Sequence, residues 1–178
     1  MGHTRKTEKH PEEQLWHELK HVRAGMLGIE GSQRHLQPMA HMLDRENDRL
    51  WFFTSKDTDL AVEMGDGAHA HFCVMGKDQD YQACLIGFLQ SNNDPAKIDE
   101  YWNDMAAAWW SGKDDPDLLL LEYVLMDAAI WASTRNPIRF AWEMQRAQHS
   151  GKKPDLGARA HVDFMAEGDR REQSGKRI

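Results

Sequence analysis

The segment from Leu50 to Met64 changes physical character halfway along, and it constrains the fold more than any other stretch. Leu50-Trp51-Phe52-Phe53 is a run of bulky apolar side chains, the pattern of a strand buried on both faces. From Thr58 the spacing turns helical, with Leu60, Met64 and, less squarely, Ala61 available for one buried side. Between them lie Thr54, Ser55, Lys56, Asp57 and Thr58, short polar side chains plus one cation. The Thr58 hydroxyl is suited to cap the helix, because it can accept a bond from an otherwise unpaired amide. A strand feeding a helix start leaves amides and hydroxyls converging on one place, and such a place attracts anions, phosphate above all. An ordinary capped junction has the same spacing, so spacing alone leaves both readings open.

Length and charge narrow the class. A chain of 178 residues is one ordinary domain, long enough to bury roughly 70% of its unfolded surface. The net charge of −7 and the scattered basic residues argue against nucleic-acid binding. No apolar run approaches the roughly 20 residues of a membrane helix, so no membrane partner is expected. The basic N-terminus has no apolar segment behind it, and the cytoplasm is therefore the expected location.

Residues 1–10 are expected as a disordered arm, 11–150 as one domain, and 151–178 as a polar, partly disordered tail. Pro11 to Val22 reads as a helix with Leu15, Trp16, Leu19 and Val22 as its apolar stripe. His17 and His21 stand four apart on it, a metal-ligand spacing that without a third ligand reads as a surface pair. Gly25 to Glu30 and His35 to Leu43 read as strands, and with the central strand they complete a meander by Thr54. Ala68 to Met75 and Tyr81 to Gln90 form a hairpin about Gly76–Asp80, and symmetry about that turn sets Cys73 opposite Cys84. A cross-strand disulfide is conceivable there, but reduced thiols suit a cytosolic chain better. His69 and His71 share one face of their strand. Pro95 to Trp110 reads as one helix with Ile98, Trp102, Met105 and Trp109 in line; Leu118 to Leu125 and Ala128 to Ala132 read as strands, and Pro137 to Gln148 as a helix.

Phe53-Thr54-Ser55-Lys56-Asp57-Thr58-Asp59-Leu60 resembles the flavin-phosphate segment of the pyridoxamine 5'-phosphate oxidase family, and Trp51 to Lys56 resembles its general stress protein branch. Gln37-Pro38-Met39-Ala40 is similar to the family's Arg-Pro-Met segment beside the flavin ring. Gln82 stands five positions before Gly87, where the family's polar residue meets the ring, and Trp131 matches the aromatic of the last strand. Ser111 to Asp117 resembles the Gly-Lys-Asp-Asp-Pro-Asp-like loop of the general stress proteins. The resemblance covers about residues 12 to 155. It implies an FMN-binding split β-barrel, mainly β with peripheral helices and six to seven antiparallel strands. It also implies a homodimer with two flavin sites at the interface. FMN is the implied cofactor, with FAD possible. The implied contacts are Gln37, Pro38, Met39, Ala40, Phe53, Thr54, Ser55, Lys56, Thr58, Gln82 and Trp131, with Trp109 or Trp110 as further covers.

The chain also departs from the family. Gln37, Asp59 and Leu60 occupy positions where the oxidases carry basic residues against the flavin phosphate, so Lys56, Arg34 or Arg49 would have to substitute. The oxidases' C-terminal substrate motif of Arg and His is not recognisable, and oxidation of pyridoxamine phosphate is not expected. There is no phosphate loop, dinucleotide fingerprint, paired-Cys zinc pattern or nucleophile elbow. A flavin brings its own redox chemistry, so a flavoprotein need not display a catalytic motif. Two readings follow: a flavin-dependent oxidoreductase or flavin reductase, or a non-catalytic flavin- or other ligand-binding stress protein that has lost tight FMN binding.

Overall fold

The apolar run Leu50–Phe53 lies within strand β4, Arg49–Ser55, and alternation decides which core each side chain joins. Leu50 and Phe52 enter the main core, while Trp51 and Phe53 pack on the opposite face with Ile98, Leu118 and Leu120. Both faces are thus covered, as the composition predicts. The computed structural model describes residues 3–133 and 157–165, together with Trp142, Gln145, Arg146 and His149.

In chain order the elements are α1 His3–Lys9, α2 Pro11–His21, β1 Gly25–Ile29, β2 Gln37–Met39, β3 Met42–Asp44, β4, and α3 Asp59–Met64. They continue with β5 Ala68–Met75, β6 Tyr81–Ser91, α4 Pro95–Tyr101, α5 Asp104–Trp109, β7 Leu118–Ser133 and β8 Gly157–Asp163. Antiparallel pairing runs β2-β1-β5-β6-β7-β4-β3. The two ends of that path are joined through Ala40 and His41 alone, so the sheet curls into a split β-barrel. The expected strand His35–Leu43 is in fact this pair of short strands, β2 bonding to β1 and β3 to β4. Counted as one interrupted strand, they leave six strands on this path, and β8, paired to β7 beside it, makes seven.

The interior holds Phe52, Phe72, Leu85, Leu89, Tyr123 and Ile130, with Leu15, Trp16 and Leu19 of α2 joining the same core. Tyr123 is buried, and its hydroxyl sits 2.9 Å from the Ala70 carbonyl and 3.0 Å from that of Leu85, a polar group satisfied between two strands. Gly87 is required where β6 presses on β7: a Cβ there would stand 2.5 Å from the Val124 carbonyl oxygen and 2.7 Å from the Tyr123 ring. Beside it the register slips, Ile86 opposing Asp127 and Gly87 opposing Leu125. Met126 is the extra residue of this bulge, so the two strands expected at Leu118–Leu125 and Ala128–Ala132 are one bent strand.

Two expectations are corrected, and the tail, expected as partly disordered, has an ordered part. Residues 3–9, expected as a disordered arm, form α1; Thr7 is buried and donates to Gln14 Oε1 at 2.6 Å. The tail contributes β8, which pairs with β7 from Asp127 to Ser133 and brings buried Phe164 against Trp16, ring centroids 6.2 Å apart. The helix expected over Pro95–Trp110 is broken at Trp102–Asn103, because the Asn103 side chain accepts from Ala106 N at 3.0 Å and caps a new helix. The stripe therefore fails beyond Trp102, leaving Met105 and Trp109 exposed and Ala106 buried. The helix expected over Pro137–Gln148 lies outside the described residues except at Trp142, Gln145 and Arg146.

Candidate functional site

Two hollows on the outside of the barrel adjoin at Ala24 and Pro38. The first, of about 470 Å³, is lined by Arg23, the Pro38–Met42 segment, Phe53, Thr54, Ser55, Thr58 and residues of α5 including Trp109. The second, of about 440 Å³, lies over the β5–β6 hairpin and is lined by Met26, Cys73, Met75, Gln82, Cys84 and Trp131 among others. Both volumes fall in the range of small-molecule sites, roughly 300–1,000 Å³.

The β4–α3 junction is built as its sequence predicts. Thr58 caps α3, its Oγ1 accepting from Ala61 N at 3.3 Å and donating to the Ser55 carbonyl at 2.9 Å. Since that proton is committed, the Thr54 hydroxyl, 3.2 Å away, must be the donor in the contact between the two threonines. Both hydroxyl protons are therefore used inside the turn. The cations are also arranged differently from the simplest expectation. Lys56 donates its Nζ to the Pro116 carbonyl and lines a separate polar groove with Asp99, Lys113 and Asp115. Arg49 is paired with buried Glu122, Nη1 to Oε1 at 2.5 Å. Arg34 lies against α3, where it meets Asp59 at 2.5 Å and Glu63 at 3.9 Å and so balances the carboxylate at position 59. Arg23, in the α2–β1 connection, is the cation that lines the first hollow. No local pattern marks it; it arrives there because α2 ends at His21 and β1 begins at Gly25.

The expected contact residues are gathered, apart from Gln37 and Lys56, by these two hollows. Pro38, Met39, Ala40, Phe53, Thr54, Ser55 and Thr58 line the first, and Pro38, Gln82 and Trp131 the second. Gln37 is half-buried opposite Leu27 and lines neither. Pro38 sits exposed on the outermost strand, where a missing amide hydrogen does no harm. Gln82 gives one amide hydrogen to the Gln79 carbonyl at 2.7 Å, leaving its oxygen as an acceptor. Trp131 stands directly across the ladder from Gln82, with the Arg159 guanidinium 5.6 Å from its ring centroid. Trp110 packs on Phe53, centroids 5.9 Å apart, whereas Trp109 is 78% exposed at the rim.

Two titratable groups in the walls are perturbed. His41 donates from Nε2 to the Leu19 carbonyl at 2.8 Å, while its buried Nδ1 has no partner among the described residues. Burial thus holds its pKa below the usual histidine value, outweighing the carbonyl contact. Burial, followed by the hydrogen bond with Cys73 and the nearby Asp127 carboxylate, pushes the Cys84 thiol up to about 12. Outside the hollows, the rings of His17 and His21 lie 4.4 Å apart, with His21 Nδ1 donating to the His17 carbonyl.

Residues 10–155 match the family model described as pyridoxamine 5'-phosphate oxidase like. The chain belongs to the pyridoxamine 5'-phosphate oxidase-like family. It is similar to general stress protein 26 of Bacillus subtilis, 33% identical over 109 residues, covering 58% of this chain and 76% of the relative. A crystal structure assigned to general stress protein 26 of Jannaschia sp. CCS1 superposes with a TM-score of 0.68 at 35% identity, covering 85% of this chain and 97% of that one. The general stress FMN/FAD binding protein of Xanthomonas citri gives 0.65 at 36% identity, covering 70% and 90%. These likenesses agree with the pyridoxamine 5'-phosphate oxidase-like fold and with its general stress branch. No described helix is long and apolar enough to cross a membrane.

Proposed function

We propose that this protein binds FMN, or less tightly FAD, along the trough made by the two hollows, and uses it as a flavin-dependent oxidoreductase or flavin reductase. The observation that carries the reading is the convergence of Pro38, Thr54, Ser55, Thr58, Gln82 and Trp131 on two hollows that adjoin. The Xanthomonas citri relative, an FMN/FAD binding protein, supports it. The ring lies beside Pro38 to Ala40 with the Gln82 carbonyl oxygen as an acceptor for a ring N–H. The phosphate lies in the first hollow, where Ser55, backbone amides and Arg23 supply donors. The protein acts as a cytoplasmic homodimer whose flavin sites lie at the interface. Apolar groups at the rims, Met26, Met75 and Trp131 on one side and Met105 and Trp109 on the other, support a covering partner, since clustered exposed apolar surface marks an interaction site. A non-catalytic flavin-binding role is favoured instead by the committed Thr54 and Thr58 protons, which weaken the phosphate site.

Titration with FMN, FAD and riboflavin, followed by flavin fluorescence, tests the proposal. Saturable quenching with FMN tighter than riboflavin is expected; absence of binding by all three would overturn it. Oxidation of a nicotinamide cofactor by the FMN-loaded protein then separates the two roles. A rate no greater than that of free FMN would leave the binding role alone.

A further inference from the structure

We propose that Cys73 and Cys84 form a reversible dithiol–disulfide couple in the wall of the second hollow, oxidised by low-molecular-weight disulfides and resolved with the help of His71. The two residues are directly opposed in the β5–β6 ladder, and their sulfurs lie 3.4 Å apart. Opposed residues of an antiparallel pair have Cα atoms about 4.5–5.5 Å apart, within the window of about 4.4–6.8 Å that a disulfide spans. Closing to a bond of about 2.05 Å thus needs side-chain rotation and no change of register. Both thiols are free, half-buried and open to the hollow, and the chain has no third cysteine to compete. His71 stands on the same face of β5 as Cys73, with Nδ1 3.7 Å from Cys84 Sγ.

The positions assign the order of events. His71 Nδ1 faces Cys84 Sγ at 3.7 Å, which gives Cys84 the resolving step and leaves Cys73 as the entry point. Cys73 gives its proton to water, its thiolate attacks one sulfur of a disulfide RSSR, the RS–SR bond breaks, and one RS⁻ leaves to be protonated by water, giving a mixed disulfide at Cys73. Cys84 then passes its proton to His71 Nδ1 as its sulfur attacks Cys73 Sγ. The mixed bond breaks and the second RS⁻ leaves to be protonated. Two protein thiols are oxidised by two electrons, and RSSR is reduced to two RSH. The couple needs no flavin, although it shares its wall with Gln82 and Trp131.

The test equilibrates the purified full-length protein anaerobically in glutathione buffers of increasing oxidised fraction, followed by alkylation and mass analysis. Both thiols are expected to be lost together, with a peptide linked through Cys73 and Cys84, reversal by dithiothreitol and no lasting glutathione adduct. Cys84→Ser should trap the adduct at Cys73. His71→Asn should lengthen the life of that adduct by about tenfold, below the usual range for a base in direct contact because the approach is 3.7 Å. Thiols that stay free across the series, a terminal adduct in the unaltered protein, or linkage between chains would each overturn the proposal.

Discussion

Arg23 is the cation we propose for the flavin phosphate, and its place in the first hollow makes that proposal measurable. Lys56 lies inside the segment that resembles the family's phosphate motif, yet it faces a different groove and is bonded to the Pro116 carbonyl. Arg23 comes from outside any motif and lines the hollow that holds Thr54, Ser55 and Thr58. A charge-assisted hydrogen bond is worth about 1.5–3 kcal/mol, and the exposure of Arg23 places it at the low end. A loss of about 1.5 kcal/mol is about tenfold in Kd. Arg23→Ala is therefore expected to weaken FMN about tenfold while leaving riboflavin, which lacks the phosphate, within about twofold. Lys56→Ala should move neither. Fluorescence titration of both flavins against each variant at one fixed, low ionic strength measures this, and the ratio of the two dissociation constants isolates the phosphate. Raising the salt should narrow the difference between the unaltered protein and Arg23→Ala. An unchanged ratio in Arg23→Ala, or a collapse of the ratio in Lys56→Ala, would refute the placement. Equal weakening of both flavins would mean that Arg23 packs against the ring end and pairs with no phosphate.

Two further predictions concern the scaffold. The Glu122 side chain is only 4% exposed and accepts from Arg49, from Gln90 at 3.1 Å and from Asn92 at 3.0 Å. Arg49→Met leaves a buried carboxylate with neutral donors only and should destabilise by about 3 kcal/mol, the low end for breaking a buried pair. Urea unfolding at neutral pH reads this, and Arg49→Met combined with Glu122→Gln should recover most of it; no loss in the single variant would refute the pairing. For His41, burial lowers the folded-state pKa below 6.5, so at mildly acidic pH the unfolded chain binds more protons than the folded one. The stability contributed by neutral His41 is complete above the unfolded value, is lost as pH falls through about 6.5, and levels off below the folded value. The difference in unfolding free energy between the unaltered protein and His41→Gln should therefore shrink as pH drops below neutrality, and a pH-independent difference would count against this assignment.

Much of the barrel was legible because strand periodicity is a local signal. Tyr81 to Gln90 alternates buried and half-buried without a break, and hairpin symmetry alone placed Cys73 against Cys84. Alternation is equally present at Ala158, Ala160 and Val162, but the charged residues around them give the tail a partly disordered character in sequence, and its order depends on the edge that β7 offers. The helical stripe through Trp102 and Trp109 failed for a competing local reason: Asn103 satisfies amides as a cap, and two short helices replace a long one. The candidate site was legible only in pieces. Thr54 to Thr58, Pro38 to Ala40 and Gln82 each carried a family likeness, but their meeting depends on closure through Ala40 and His41, a contact between the two ends of the sheet. Arg23 had no such likeness, since its place follows from where α2 stops against the closed barrel. Where a long cationic side chain leaves a turn is decided by the groove beside it, and Lys56 turns toward Pro116 because β4 and β7 end together there, Ser55 opposite Leu118. On the proposed reading the motif supplies the backbone beside the phosphate, while the cation at the same rim, Arg23, is brought there by the α2–β1 connection.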